Sequence, residues 1–148
     1  MPGFPRPNRF MGFLYSVGLG PLVGRMVLLL TTKGRRTGLP RVTPLQYEEI
    51  DGAFYVGSMR GTRADWFRNL VADPEVEVRV KSRRFKGKAE AITDAGRIAD
   101  FLELRLERHP RMLGVILRSE GLPRRPDRAQ LEQYAEKIAI VKITPRAD

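Results

Sequence analysis

A basic turn with two glycines and a proline is the segment of this sequence best suited to binding a charged ligand. The segment from Thr31 to Leu45 reads TTKGRRTGLPRVTPL. Its four cations, all within nine positions, are Lys33, Arg35, Arg36 and Arg41. Guanidinium groups bind phosphate and carboxylate through paired hydrogen bonds, and glycines let backbone N–H groups approach such anions. The residue types alone leave three interpretations open: a cradle for an anionic ligand, a nucleic-acid contact, or a solvated hairpin turn.

The composition limits which other chemistry is available. The chain has 148 residues, which suits one domain, and its formal net charge of +10 favours an anionic partner such as nucleic acid, a membrane surface or a phosphorylated small molecule. There is no cysteine, so disulfides, thiolate metal sites and cysteine nucleophiles are excluded. His109 is the only histidine, which argues against a His-based triad and a multi-His metal site. We therefore predict no metal site.

Nucleic acid is the less favoured of the possible partners. Basic residues do continue along the chain after the turn, for example at Arg60, Arg63 and Arg68. However, aromatic residues make up only 8% of the chain, and they do not alternate with the cations along one strand. Single-stranded nucleic acids are bound by such interleaved aromatic side chains, and no nucleic-acid motif is present.

The N-terminal region precedes the predicted sheet. Three prolines within residues 1–9 indicate a flexible tail, and we assign residues 10–148 to a single domain. The apolar run from Phe10 to Leu30 is interrupted by glycines, a proline and Arg25, so it resembles neither a signal peptide nor a membrane span. A cytoplasmic location is expected. A predicted helix over 9–19 has one apolar side that packs on the domain or touches a membrane surface.

The periodicity of the remaining chain predicts six strands with helices inserted between them. The predicted strands cover residues 25–32, 41–50, 53–59, 75–82, 85–93 and 138–144. The predicted helices cover residues 64–72, 94–108, 111–118 and 129–137. The strand 25–32 shows no polar alternation, so we expect both of its faces to be buried. Local hairpins with inserted helices indicate an α+β fold with an antiparallel sheet, closed into a small barrel.

Short signals set the boundaries of these elements. Asp51-Gly52 predicts a tight hairpin turn, and Ser82 to Arg84 predicts a second one. Thr62 and Asp94 are the expected N-caps of the helices that follow them, because their side-chain oxygens accept hydrogen bonds from free backbone N–H groups.

The basic turn and the elements after it resemble the deazaflavin-dependent nitroreductase family, whose members are also described as deazaflavin-dependent quinone reductases. The matching motifs are G-R-x-[ST]-G-x-x-R at 34–41, Pro44-Leu45, Ser58, W-F-x-N-L at 66–70 and D-P-x-V at 73–76. The resemblance covers residues 26–95 and is specific in combination. It implies a split β-barrel of about six mostly antiparallel strands, with an N-terminal helix and further helices packed on the barrel.

The resemblance also implies a coenzyme, the 8-hydroxy-5-deazaflavin F-420, which carries a ribityl phosphate, a lactyl group and an oligoglutamate tail. The cations of the turn would hold the phosphate and carboxylates, and we expect Arg35 and Arg41 to be exposed. Trp66 would begin a helix beside the coenzyme, or serve only as an apolar anchor in the core. The implied coenzyme contacts are Lys33, Arg35, Arg36, Thr37, Arg41, Pro44, Gly57, Ser58, Met59, Arg60, Trp66 and Asn69.

The implied activity is hydride transfer from the reduced deazaflavin to a quinone, a nitroaromatic or an activated alkene. Such a coenzyme leaves the protein to supply binding, orientation and exclusion of water. Ser58, Tyr47, His109 or solvent would protonate the acceptor, although each side chain also has a plain structural interpretation. FMN is an alternative coenzyme for the same turn, and a non-catalytic ligand-binding member of the fold is a further alternative.

The resemblance thins after Asp94. The segment ERHPRMLGVILRSEG has His109 and Met112 where family members carry aromatic residues, and LPRRPDRAQLEQYAEK is longer than usual. The identity of the acceptor, and the choice between monomer and homodimer, are therefore open at the level of the sequence.

Overall fold

The computed structural model describes residues 27–146, so the predicted tail over 1–9 and helix over 9–19 lie outside the described residues. The six strands are β1 (Val27–Lys33), β2 (Pro40–Ile50), β3 (Ala53–Ser58), β4 (Glu75–Val80), β5 (Arg83–Ile92) and β6 (Ala139–Pro145). The α-helices are α1 (Asp65–Ala72), α2 (Ala95–Arg108), α3 (Pro110–Ser119) and α4 (Arg128–Ala135), and a 3-10 helix covers Gly61–Arg63. Within this part of the chain, no helix is long and apolar enough to cross a lipid bilayer.

The strands close into a barrel in the order β1-β2-β3-β6-β5-β4. Every neighbouring pair is antiparallel, and the pairing of β1 with β4 closes the ring. Helix α1 packs against β1 and β5, while α2 packs against α3 and α4. The predicted α+β fold, with a barrel of six antiparallel strands and helices packed around it, is confirmed.

Two apolar clusters hold these layers together. Leu28, Leu30, Phe54 and Val78 fill the barrel and are at most 1% exposed. The second cluster joins the barrel to the helices, and its members include Ile98, Leu102, Leu131 and Ile140. Burying each such side chain contributes about 1.5–3 kcal/mol relative to its exposed state. The helical layer therefore packs on the outside of the barrel through its own core.

Strand β1 buries one face rather than two. Leu28, Leu30 and Thr32 are buried, whereas Val27, Leu29 and Thr31 are only partly buried. A strand in a closed barrel directs alternate residues into the interior and to the outside, and only the interior is fully packed. The expectation that both faces of this strand are buried was wrong, because an unbroken apolar run does not by itself reveal what covers the outer face.

The two hairpin turns differ in how well the sequence located them. Asp51 and Gly52 both have positive φ, 51° and 81°, as a tight two-residue hairpin requires, so this turn is confirmed. The second turn is Lys81-Ser82, because Val80 already pairs with Arg83. The prediction of a turn from Ser82 to Arg84 was therefore wrong in position, because the turn begins one residue earlier and ends before Arg83. Lys81 takes a positive φ of 55°, a conformation that a lysine does not signal in a sequence.

Of the two predicted helix N-caps, one is confirmed and one is wrong. The Oδ2 atom of Asp94 accepts a hydrogen bond of 2.9 Å from the backbone N–H of Arg97, which confirms Asp94 as the N-cap of α2. Thr62 is not the cap of α1. It lies inside the 3-10 helix, and α1 begins after Ala64 with no side-chain cap.

A buried carboxylate fixes the helical layer to β2. Glu48 is 5% exposed. Its Oε1 atom lies 2.7 Å from Nε2 of His109 and 3.3 Å from Nε of Arg105, and its Oε2 atom lies 3.2 Å from Nη1 of Arg108. Burial lowers the pKa of Arg105, and the neighbouring Glu48 carboxylate opposes that shift. Because His109 separates α2 from α3, this cluster fixes where α3 begins.

Candidate functional site

The basic turn forms one wall of a cavity of about 490 Å³, which we call the turn cavity. The other walls are the start of β2 and the start of α1. Its lining residues are Gly34, Arg35, Arg36, Thr37, Arg41, Val42, Thr43, Asp65, Trp66 and Asn69. The volume lies within the range of small-molecule sites, roughly 300–1,000 Å³.

Two glycines determine the shape of the turn. Gly38 has a φ of 74°, a left-handed conformation that favours glycine. The backbone N–H of Gly34 donates to the carbonyl oxygen of Leu39 at 2.8 Å. A Cβ on Gly34 would lie 2.9 Å from Oγ1 of Thr37 and 3.0 Å from the oxygen of Leu39. The turn therefore closes tightly enough to exclude a side chain at position 34.

Asn69 anchors this turn to α1. The side chain is buried, and its Oδ1 atom accepts hydrogen bonds from the backbone N–H of Arg35 at 3.2 Å and from Nη1 of Arg35 at 2.8 Å. Its Nδ2 atom donates to Oγ1 of Thr32 at 3.3 Å. One amide therefore connects β1, the turn and α1 at the wall of the cavity.

Arg35 is held in place rather than free in solvent. Besides its contacts with Asn69, its Nη2 atom lies 3.2 Å from Oδ1 of Asp65, and the side chain is 22% exposed. The expectation that Arg35 is exposed was wrong, because two residues of α1, Asp65 and Asn69, supply three acceptor atoms for this guanidinium. The expectation for Arg41 is confirmed, since Arg41 is exposed.

The turn cavity carries an excess of positive charge. Its lining contains Arg35, Arg36 and Arg41 but only one carboxylate, Asp65, so three positive charges face one negative charge and the formal excess is two. Asp65 is paired with Arg35. Within residues 27–146, Arg36 and Arg41 are exposed and have no ion-pair partner. Two guanidinium groups are thus available to an anion.

Trp66 supplies an apolar wall beside these cations. Its ring is partly buried, packs against the barrel core, and lies edge-on to Phe67 with a centroid separation of 6.1 Å. Trp66 therefore does two things at once: it anchors α1 in the core, and it lines the turn cavity.

The structure separates the other implied coenzyme contacts from this cavity. Lys33 lies in a neighbouring groove with Glu75 and Glu77. Met59 and Arg60 line a different cavity, of about 590 Å³, beside the 3-10 helix. The remaining three, Pro44 in β2 and Gly57 and Ser58 in β3, line neither cavity. The turn cavity therefore brings together six of the sequence-predicted residues: Arg35, Arg36, Thr37, Arg41, Trp66 and Asn69.

None of the three candidate proton donors lines the turn cavity. Ser58 is buried, and its hydroxyl donates to the carbonyl oxygen of Gly61 at 2.6 Å. Burial raises the pKa of Tyr47, Glu49 and Glu48 raise it further, and Arg83 lowers it. His109 contacts Glu48 at the far end of β2 from the turn. Their catalytic roles stay predictions.

Sequence reasoning missed Asp65 and Tyr134. Asp65 is the first residue of α1, and its pairing with Arg35 joins two segments that only the folded barrel brings together. Tyr134 is 7% exposed, and its hydroxyl donates to Sδ of Met59 at 3.6 Å. Burial raises the pKa of Tyr134 to about 12, with a smaller contribution from Glu120. A helical pattern over 129–137 gave no sign of which cavity this side chain would reach.

Comparison with known protein families identifies the family of this chain. The model of the family described as F420H(2)-dependent quinone reductase matches residues 15–112. The chain belongs to this family. The matched range contains the whole turn, α1 and strands β1 to β5, so every lining residue of the turn cavity falls within it.

A curated relative has a matching description. An F420H(2)-dependent quinone reductase of Mycobacterium tuberculosis is 35% identical over 68 residues. That alignment covers 44% of this chain and 46% of the relative, so the match spans less than half of the relative's length.

Solved structures share the fold. A structure described as an F420 reductase covers 97% of both chains, with a TM-score of 0.55 and 17% identity. The haem storage protein HutZ of Vibrio cholerae covers 86% of this chain and 88% of its own, with a TM-score of 0.58 and 16% identity. At these identities the likenesses establish the split-barrel fold alone.

Proposed function

We propose that this protein is a reductase that uses the reduced deazaflavin coenzyme F420H2 to reduce a quinone. Membership of the family supports this reaction. The observation that carries the proposal is the charge of the turn cavity, where three guanidinium groups face a single carboxylate. Nitroaromatics and activated alkenes are proposed as further acceptors, because a bound hydride donor does not restrict the acceptor to one class.

The donor set of the turn cavity suits the coenzyme. A ribityl phosphate and a chain of glutamate carboxylates need several cations, and Arg36 and Arg41 are unpaired within the described part of the chain. Arg35 would add a third guanidinium that Asn69 and Asp65 already hold in place, which lowers the entropy lost on binding. FMN has one phosphate and no glutamate tail, so it would use less of this charge.

The chain's own residues would bind and orient the coenzyme and exclude water from it. The Trp66 ring would cover an apolar part of the coenzyme while the arginines hold its charged groups. When bound, the reduced deazaflavin supplies the hydride from C5. In this proposal the proton comes from solvent, because the Ser58 hydroxyl donates to Gly61 and the raised pKa of Tyr47 makes its phenol a weaker acid.

Steady-state kinetics with purified protein, F420H2 and a soluble quinone test the proposal. We expect coenzyme oxidation that depends on the protein and on the quinone. Replacing Arg36→Ala and Arg41→Ala together should raise KM for F420H2 on the order of a hundredfold and leave KM for the quinone unchanged, since each lost charge-assisted hydrogen bond is worth ~1.5–3 kcal/mol.

The control removes the same charge elsewhere. Lys88 and Arg97 are exposed and line neither the turn cavity nor the cavity at Met59, so Lys88→Ala with Arg97→Ala should leave both KM values unchanged. Absence of quinone-dependent oxidation would reject the proposed reaction. Equal effects of the two double variants would reject the proposed site.

A further inference from the structure

A second cavity lies in the helical layer and differs from the proposed coenzyme site. Its volume is about 490 Å³, and we call it the helix cavity. The end of α2, helix α3 and the connection from α3 to α4 form it. It shares no lining residue with the turn cavity. Its α3 wall is joined to β2 at Glu48, seven residues along the strand from Arg41, which is roughly 20 Å in an extended strand.

Four arginines line this cavity: Arg111, Arg118, Arg124 and Arg125. All four are exposed, and the lining contains no lysine, aspartate or glutamate. Among the described residues, none of the four has an ion-pair or side-chain hydrogen-bond partner. Four guanidinium groups with no carboxylate in the lining give the cavity a positive potential.

Part of the lining of the helix cavity is apolar. Leu106, Pro110, Val115 and Pro126 contribute to this part. Val115 is 67% exposed, and in the described part of the chain it shares such exposure with only three other large apolar side chains: Leu39, Met59 and Val71. The same lining therefore contains an exposed apolar side chain and four cations, a combination that suits ligands with two chemically different ends.

Within residues 27–146, no carboxylate forms an ion pair with any of these four arginines. Asp100 and Glu103 contact Arg128 instead, whose Nη1 atom lies 2.7 Å and 2.6 Å from them. Residues 1–26 contain three arginines and neither aspartate nor glutamate. An external anion would compensate this charge.

The walls of the helix cavity are fixed at both ends. The contacts of Glu48 with Arg108 and His109 set where α3 begins. After α3, the backbone N–H of Leu122 donates to the carbonyl oxygen of Leu117 at 2.9 Å. At the start of α4, Asp127 and Gln130 form a reciprocal capping box. The arginines at 124 and 125 therefore project from a connection that is tied down on either side.

We propose that the helix cavity binds an anionic amphiphile, with an apolar body against the apolar lining that includes Val115 and a phosphate monoester or carboxylate head held by the arginines. Guanidinium groups bind such heads in bidentate fashion. The lining contains no aromatic side chain on which a nucleobase would stack, so nucleic acid fits less well. This site is independent of the proposed reductase reaction.

Titration calorimetry of the full chain with monomeric dodecyl phosphate tests the proposal. We expect saturable binding at one site per chain, with inorganic phosphate and dodecanol each binding at least about tenfold more weakly, because each has only one of the two groups. Sedimentation with phosphatidic acid vesicles, whose head group is a phosphate monoester, separates the sources of the head group. Vesicle binding that depends on Arg118 and Arg124 assigns the site to lipid held in a bilayer, and its absence assigns the site to a free amphiphile.

Two variants locate the binding. Arg118→Ala with Arg124→Ala removes half of the arginine charge, and Val115→Asp places a carboxylate in the apolar part of the lining. Each change should weaken the binding of dodecyl phosphate at least about tenfold. These side chains are exposed, so circular dichroism should show an unchanged fold. The matched control, Lys88→Ala with Arg97→Ala, should bind dodecyl phosphate as the unaltered protein does, because both residues are exposed and line neither the turn cavity nor the helix cavity. No saturable binding, equal loss in the control, or tighter binding of an oligonucleotide would overturn the proposal.

Discussion

The Oδ1 atom of Asn69 accepts two hydrogen bonds from Arg35, one from its backbone N–H at 3.2 Å and one from Nη1 at 2.8 Å. The amide thereby sets the position of the turn and of its first guanidinium with the same atom. Because Asn69 lies on α1 and Arg35 follows β1, the cation that borders the turn cavity depends on the docking of a helix on the barrel.

Replacing Asn69→Ala should therefore affect both stability and coenzyme binding. The change leaves the Arg35 N–H and Thr32 hydroxyl without their buried partner, which costs about 1–3 kcal/mol of the free energy of unfolding. Urea denaturation measures that loss. The control is Val71→Ala on the same helix, where the side chain is 60% exposed and the expected change is within about 0.5 kcal/mol. Equal stabilities of the two variants would contradict the anchoring role.

Gly34→Ala should reshape the turn. The new Cβ would lie 3.0 Å from the backbone oxygen of Leu39, which cannot move without opening the turn. We expect weaker coenzyme binding in a fluorescence titration. Gly114 in α3 is the matched control, because a Cβ there meets nothing within 4 Å and Gly114→Ala should stabilise the helix by about 0.5–1 kcal/mol. Unchanged coenzyme affinity in Gly34→Ala would show that the turn tolerates rearrangement.

Glu48→Gln tests the link between the helical layer and the barrel. The change leaves Arg105, whose side chain is 13% exposed, without its charge partner, and we expect a loss of about 2–4 kcal/mol in the free energy of unfolding. The exposed pair of Glu75 and Arg146 provides the comparison, since Glu75→Gln should cost less than about 1 kcal/mol. Thermal or urea unfolding distinguishes the two, and similar losses would argue against the special role of Glu48.

Tyr134 gives the protein a predicted dependence on alkaline pH. Its pKa is raised from 10.0 to about 12 in the folded protein, so folding favours the neutral phenol. The associated stability is complete below about pH 10 and is lost as the pH rises from there through about 12. Over that interval the free energy of unfolding should fall by on the order of 2 kcal/mol more in the unaltered protein than in Tyr134→Phe. Parallel declines would show that Tyr134 is not responsible.

Much of the fold and part of the site follow from local patterns in the sequence. Alternating residues identified most strands, and Asp51-Gly52 identified its turn through the positive φ that these residues tolerate. Six of the twelve implied coenzyme contacts meet in one cavity because they come from only two short segments, 35–41 and 66–69, that the barrel places side by side.

Other features depend on tertiary contacts that local patterns do not encode. The partial exposure of β1 depends on what covers the barrel from outside. Arg35 is restrained by Asn69 and Asp65, residues 34 and 30 positions away, and a run of cations carries no sign of that pairing. Tyr134 meets Met59 across 75 positions, a contact that requires α4 to dock beside the end of β3.

Affinity of the coenzyme for the turn cavity tests the central proposal most directly. Fluorescence titration of F420 should show saturable binding to the unaltered protein and a loss on the order of a hundredfold in Arg36→Ala with Arg41→Ala. The charge-matched variant Lys88→Ala with Arg97→Ala should bind like the unaltered protein. Retained affinity in the first variant, or equal weakening in both, would contradict the assignment of the coenzyme to this cavity.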